Sequence, residues 1–172
     1  MKLIHAMKQL KELAKKAEDL RGKVSEFCAD LNIQTPTYPD QAATVAGWLQ
    51  AHHDILAKIL ELRVAIQRTN LATPVTIELD GQQVTKSLAE WIHRRRDLAK
   101  FEAEVWGKLT DRGLKEQNLQ TAPGGAVTEV RIRRYYDPAQ RDAKRELYRA
   151  EPSIVDATLE VVNATTDLME AA

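Results

Sequence analysis

The chain is poor in cysteine, in aromatic side chains and in long apolar runs. Its 172 residues include one cysteine, Cys28, which excludes an intrachain disulfide framework and fits a reducing compartment. No stretch approaches the roughly 20 apolar residues that a membrane span needs. The N-terminal segment turns polar again by Lys8, which is not the pattern of a secretory signal. These features predict a soluble, cytoplasmic protein, with a phage particle as the alternative location.

The sequence also lacks an excess of charge of one sign. Its 25 basic and 25 acidic side chains cancel, so no overall field favours nucleic acid or an anionic membrane as a partner, and such binding would need a local patch. Aromatic residues make up 5% and charged residues 29% of the chain. This composition is more typical of long exposed helices than of compact enzymes.

No pattern of a catalytic, cofactor-binding or metal site is present. His52 and His53 are adjacent, so they point to different sides of a helix and lack the spacing of a helical zinc motif. Cys28 is predicted to be a buried and therefore inert thiol. Gly124-Gly125 lacks the Lys and Ser or Thr of a phosphate-binding loop. We therefore predict that the protein is not an enzyme and has no metal or cofactor.

Two apolar series at helical spacing predict helices over residues 2–30 and 40–70. Steps of three and four residues are typical of coiled-coil seams, and the prolines at 36 and 39 break the helix between the two series. The short connection predicts an antiparallel hairpin. The first series comprises Leu3, Met7, Leu10, Ala14, Ala17, Val24, Phe27 and Leu31, with Arg21 as a polar interruption; the second comprises Trp48, His52, Ile55, Ile59, Leu62 and Ile66.

Alternating residues and helical spacing divide the rest of the chain. Residues 75–85 alternate around Asp80-Gly81 and predict a β-hairpin. A third helix is predicted over 87–112, followed by a mobile loop over 113–126. A strand is predicted over 127–136 and could join the hairpin. A helical region is predicted over 138–170, in which Pro152 either kinks one helix or starts another. The predicted inner stripe of the third helix comprises Leu88, Trp91, Ile92, Arg95, Leu98, Val105 and Leu109.

The predicted fold is mainly α. It consists of long antiparallel helical hairpins, like a coiled-coil bundle, with a small antiparallel β-hairpin or three-stranded element at one end. We expect residues 1–172 to form a single elongated domain. An elongated chain has much surface and little central core, so its remaining apolar seams predict a homo-oligomer.

A short signature ends two of the helical series. It is IQRTNLAT at residues 66–73 and LEVVNATT at residues 159–166. Asn70 and Asn163 are predicted to end helices, by a left-handed backbone or by satisfying helix-end groups. The alternative is a recognition surface of two carboxamides, which is less favoured because capping residues need no ligand.

Two basic clusters are further candidates for binding. Arg94 and Arg95 lie on the third helix, while Arg131 and Arg133 with Tyr135 lie on the predicted strand. Cations beside a stacking ring are typical of RNA-binding surfaces. Acidic residues lie among these arginines, however, and such mixtures are more typical of an ion-paired face or a subunit contact.

The order of these motifs resembles the DIP1984 family, whose members are often labelled septicolysin-like. The resemblance rests on the two signatures, on Arg96-Asp97-Leu98 and on the strand at residues 128–134, and it covers nearly the whole chain. It implies long helical hairpins with a small β element, an oligomer and no defined activity. The cytolysin label implies membrane damage, but the secretion signal and insertion segment that this requires are missing.

The favoured function is a structural or interaction protein that self-assembles through its helical faces, with a different protein as an alternative partner. Three other functions are kept as alternatives: a helical module that binds RNA or another polyanion, a phage virion component, and a membrane-active septicolysin-like protein. Nucleic acid and membrane are the less favoured partners.

Overall fold

The computed structural model describes residues 1–120, 123–125 and 127–169. Its elements are mainly helical, with two small antiparallel sheets. The chain divides into two compact units. The first unit contains Met1–Val75, Ser87–Ala89 and the chain from Leu159 onward, and the second unit contains Thr76–Lys86 and Glu90–Thr158.

The first two helices, α1 (Leu3–Phe27) and α2 (Gln41–Ala72), pack against each other as the predicted hairpin. Asp40 caps α2, because its carboxylate accepts the Ala43 N–H at 2.9 Å. At the same end, the Phe27 and Trp48 rings lie 5.8 Å apart. The predicted antiparallel hairpin is therefore confirmed, although α1 ends at Phe27 rather than near residue 30.

The apolar seam of α1 differs from the predicted seam at every second position. Met7, Ala14 and Arg21 are exposed, whereas the preceding residues Ala6, Leu13 and Leu20 are buried or half-buried. The predicted seam residue Leu31 is also exposed. The polar Arg21 in the predicted series was a sign that the series was wrong. The observed series has no polar residue and keeps the steps of three and four. The buried and half-buried seam comprises Leu3, Ala6, Leu10, Leu13, Ala17, Leu20, Val24 and Phe27.

The predicted β-hairpin is present as β1 (Pro74–Leu79) and β2 (Gln82–Ser87). Its turn residues Asp80 and Gly81 have φ angles of 54° and 71°. Two successive left-handed residues match the right-handed twist of a two-residue hairpin. The turn chemistry at this position was therefore sufficient to predict the structure.

The predicted helix over 87–112 is interrupted and shorter. It consists of α3 (Leu88–His93), a π turn (Arg94–Leu98) and α4 (Ala99–Gly107). It cannot reach residue 112, because Arg112 and Gly113 have left-handed φ angles of 57° and 73°.

The π turn also corrects the predicted inner stripe. Leu98 and Val105 are exposed, whereas Ala99 and Ala103 are buried, and Arg95 is exposed. A π turn inserts one extra residue into the helical repeat. The inward positions of α4 are therefore one residue later than predicted, with Ala99 in place of Leu98 and Trp106 in place of Val105.

A second two-stranded sheet replaces the predicted third strand of the hairpin. β3 (Gln117–Gln120) pairs with β4 (Val127–Val130) in antiparallel register, with Gln117 opposite Val130. The mobile loop predicted over 113–126 thus contains a strand, while its residues 121, 122 and 126 lie outside the described residues. The strand predicted over 127–136 ends at Val130. Pairing with the nearest segment closes a short loop, which costs less conformational entropy than reaching a distant hairpin.

The last helix, α5 (Pro138–Thr165), is continuous through Pro152. This decides between the two alternatives for that proline, because no new helix starts there. Asp137 accepts the Ala139 N–H at 2.9 Å, and Pro138 occupies the first turn, where a missing N–H costs nothing. The predicted helical region extended to residue 170, but α5 ends at Thr165 and residues 166–169 are not helical. Residue 170 lies outside the described residues.

Candidate functional site

The two signature segments end in the first unit beside the start of α1. The Leu3 N–H donates to the Thr166 carbonyl at 2.9 Å. Lys2 pairs with Asp167 as an isolated antiparallel bridge, and their side chains form an ion pair at 2.9 Å. We call this region the terminal junction; it comprises Lys2, Leu3, Thr69 and residues 165–169.

Thr69 joins α2 to the terminal junction. Its side chain is 1% exposed. Its hydroxyl donates to the Ala65 carbonyl at 2.8 Å and accepts the Met169 N–H at 2.9 Å. A buried hydroxyl that uses both functions fixes the position of the C-terminal segment against α2.

Asn70 and Asn163 do not end their helices as predicted. Both lie inside the last turn of a helix, and neither has a left-handed backbone. The Thr73 hydroxyl instead donates to the Thr69 carbonyl at 2.7 Å, and the Thr166 N–H donates to the Val162 carbonyl at 2.9 Å. The threonine three residues after each asparagine therefore satisfies a helix-end carbonyl.

The two asparagines have different surroundings. The Asn70 Oδ1 atom is buried and has no hydrogen-bond partner within the described parts of the chain. Asn163 lines a shallow groove together with α1 residues that include Ile4 and Lys8. Their role as an interaction surface stays a prediction.

The π turn directs Arg94 toward a buried carboxylate of α5. Arg94 Nε lies 2.6 Å from Glu151 Oε1, and a terminal nitrogen of the guanidinium binds the other carboxylate oxygen. Glu151 is 1% exposed. The hydrogen bond to Glu151 raises the pKa of Arg94. The guanidinium also lies over the Tyr148 ring at 5.6 Å. This cation therefore has a structural partner and is not presented to solvent.

Most of the other arginines in the two predicted basic clusters are also neutralised. Arg95 lies 2.7 Å from Asp156, and Arg131 pairs with Glu129. Arg133 is exposed and forms no ion pair with any described residue. Tyr135 is also exposed. Of the residues predicted to bind RNA, Arg133 and Tyr135 are thus the exposed pair without an ion-pair partner among the described residues.

A groove in the second unit collects cations that the sequence did not single out. It lies between α4 and α5 and has a volume of about 790 Å³. Lys100 of α4 and the C-cap residue Lys108 lie on one wall, and Arg145 and Arg149 of α5 lie on the other. The helical spacing within each pair is visible in the sequence, but the juxtaposition of the two pairs is not. The basic groove is lined by Lys100, Ala103, Glu104, Gly107, Lys108, Arg145, Tyr148, Arg149 and Pro152.

An apolar face of α2 is left open to solvent. Leu49, Leu56, Leu60 and Leu71 are 47–68% exposed. At 100° per residue these four side chains fall within about 60° of each other around the helix, on the side away from the buried residues that face α1. We call them the outer leucine face. The sequence pattern did not reveal it, because the exposed polar residues His53 and Gln67 lie on the same side of α2 and interrupt the leucines.

Three features considered in the sequence can be compared with the structure: metal ligands, membrane-spanning helices and the burial of Cys28. In residues 1–120, 123–125 and 127–169, no three His, Cys, Asp or Glu side chains converge as metal ligands would. None of the helices in these ranges is long and apolar enough to cross a membrane. Cys28 was predicted to be buried but is exposed, because α1 ends one residue before it.

The comparisons with known proteins identify a shared fold. No protein-family model matches this chain, and no curated protein matches it. The crystal structure of a functionally unknown conserved protein from Corynebacterium diphtheriae is similar over 98% of this chain and 99% of that chain, with a TM-score of 0.57 and 19% sequence identity. At this identity the likeness shows the fold alone. The chain is therefore a mainly α protein of helical hairpins with small β elements.

Proposed function

We propose that this protein is a non-enzymatic structural or interaction protein that self-assembles, and that the outer leucine face of α2 binds the same face of a second copy. The observation that carries the proposal is the exposure of four leucines on one side of a long helix. Exposed leucines grouped on one side of a helix favour an apolar partner there, and α1 covers the other side.

The spacing of the outer leucine face favours a second copy over a different protein. Leu49 and Leu71 are the same number of residues before and after Leu60, and so are Leu56 and Val64. Two antiparallel α2 helices related by a two-fold axis at Leu60 would therefore pack Leu49 on Leu71 and Leu56 on Val64. Self-complementarity of this kind is what a symmetric dimer interface requires.

The magnitude of the burial is compatible with association. Burying a leucine fully contributes roughly 1.5–3 kcal/mol, so the eight half-exposed leucines of a dimer contribute roughly 6–12 kcal/mol. Association costs roughly 4–15 kcal/mol. The free energy gained by burial is similar to the cost of association. A stable dimer therefore requires all of these leucines to be buried together, as in a continuous antiparallel contact of the two helices.

A cysteine at the proposed two-fold axis tests this geometry. In a Cys28→Ser background, Leu60→Cys would place two thiols at the axis, and we expect a disulfide-linked dimer on mild oxidation, seen by non-reducing electrophoresis. The matched control is Glu61→Cys, which is exposed and lies about 100° further around the helix. The proposal fails if both variants cross-link equally, or if Leu60→Cys does not cross-link.

We also infer that the chain belongs to the DIP1984 family of septicolysin-like proteins. The likeness to the Corynebacterium diphtheriae protein over nearly the full length of both chains supports this. So do the helical hairpin and small sheets that the resemblance implies. If the inference is right, that protein has an Asn followed three residues later by a Thr at the helix ends that superpose on residues 66–73 and 159–166. No specific observation favours a virion or membrane-active role.

A further inference from the structure

We propose that the basic groove between α4 and α5 binds a compact multivalent phosphate anion, such as pyrophosphate or the triphosphate group of a nucleotide. The groove belongs to the second unit. The proposal is therefore independent of self-assembly through α2.

The groove has a surplus of positive charge. Its lining contains four cations and one acid. Glu104 lies 3.7 Å from Lys100, so that pair is compensated. Lys108, Arg145 and Arg149 form no ion pair with the described residues. The pKa of Asp142 is lowered by its hydrogen bond with Arg141 and also by the charge of Arg145, so Arg145 is partly compensated. Lys108 and Arg149, on the two facing walls, remain for a ligand, with Arg145 beside them.

The shape of the groove allows the arginines to reach a ligand. Gly107 forms part of the lining, and a Cβ atom there would lie 3.5 Å from the Arg145 Nε atom. A longer side chain at residue 107 would fill the space that the guanidinium uses. Arginine presents a planar fork that matches two phosphate oxygens at once, and lysine supplies a point charge.

The size and charge of the groove favour a multivalent anion. A volume of about 790 Å³ falls within the range of roughly 300–1,000 Å³ that is typical of small-molecule sites. The three cations come from α5 and from the C-cap of α4, and linked phosphates offer them more oxygens than a single phosphate group does. Two or three linked phosphates could bridge α4 and α5 and contact all three cations.

Calorimetric titration tests the proposal on the full chain at low ionic strength, with pyrophosphate and then ATP as probes. We expect saturable binding of pyrophosphate, and Arg149→Glu should weaken it at least tenfold, because a favourable charge becomes a repulsive one. The matched control is Arg133→Glu, which changes net charge equally at an exposed cation outside the groove. Arg133→Glu should change affinity less than twofold.

Each other result would overturn the proposal. Equal weakening by Arg149→Glu and Arg133→Glu would mean that net charge and not the groove attracts the anion. Absence of pyrophosphate binding, with single-stranded RNA still bound, would mean an extended polyanion surface and not a compact site. Arg149→Gln gives a milder second variant, and circular dichroism establishes that both variants fold. Unchanged affinity in a folded Arg149→Gln variant would also contradict the assignment.

Discussion

At the scale of single residues, Thr69 and not Asn70 connects the first signature to the rest of the fold. Thr69 lies one residue before Asn70 and bonds both its own helix and the C-terminal segment. The sequence identified the signature but not the residue that matters in it. Its partner Met169 lies 100 residues away in sequence, so no local pattern could reveal the contact.

Replacing Thr69 should therefore be costly. Thr69→Val keeps the shape but leaves the Met169 N–H without its partner, and we expect the free energy of unfolding to fall by about 1–3 kcal/mol. Asn70→Ala is the matched control. Its Oδ1 atom has no partner among the described residues, so we expect a change below about 0.5 kcal/mol. Urea denaturation measures both values, and the reverse order would restore the capping role of Asn70.

The ion pair of Arg94 and Glu151 gives a second prediction. Arg94→Ala would leave the buried Glu151 carboxylate without its counterion, and we expect a loss of about 3–5 kcal/mol in the free energy of unfolding. Arg96→Ala removes an exposed arginine that pairs with Asp97, and should cost below about 1 kcal/mol. Equal losses in thermal or urea denaturation would mean that the buried pair has no special role.

At the scale of elements, the sequence predicts what depends on local pattern and fails where distant residues decide. The α1–α2 hairpin and the turn at Asp80-Gly81 follow from helical spacing and turn chemistry, and both are present. The π turn was not predicted. It coincides with the bond from Arg94 to Glu151, 57 residues away, and such a partner leaves no trace in local periodicity. The basic groove was missed because its two walls are distant in sequence.

The proline in α5 provides a prediction at this scale. Pro152 lies inside a continuous helix, where it cannot donate to the Tyr148 carbonyl and its ring crowds the preceding turn. Pro152→Ala should therefore raise the free energy of unfolding by about 1–3 kcal/mol. The adjacent exposed Ser153→Ala, as a control, should change it by only a few tenths of a kcal/mol. A lower stability for Pro152→Ala would show that this helix requires the proline.

At the scale of the whole molecule, the first unit carries the outer leucine face and the second unit carries the basic groove. The terminal junction closes the first unit by binding the start of α1 to the end of the chain. The sequence predicted that some apolar surface would remain exposed and that the protein would form a homo-oligomer. It did not predict which face remains open, because that depends on which side of α2 is covered by α1.

Acid should weaken the terminal junction. The hydrogen bond and charge of Lys2 lower the pKa of Asp167 below its ordinary 3.8. The stability that this pair contributes is therefore fully present above about pH 3.8 and is lost as the pH falls through the lower folded-state value. Asp167→Asn should lose the part of the pH dependence that lies below about pH 3.8. An unchanged difference between the two proteins across that range, measured by urea denaturation, would contradict the assignment.

The molar mass in solution tests the central claim most directly. Light scattering of the wild-type protein at micromolar concentration should give at least twice the 19.4 kDa of one chain. The double variant Leu56→Glu/Leu60→Glu should give the mass of one chain, because two charges would have to be buried in the contact. The exposed pair Ala43→Glu/Gln50→Glu lies about 100–120° around α2 from Leu49 and is the control for added charge. A wild-type protein that remains monomeric, or a double variant with an unchanged oligomeric mass, would contradict assembly through the outer leucine face.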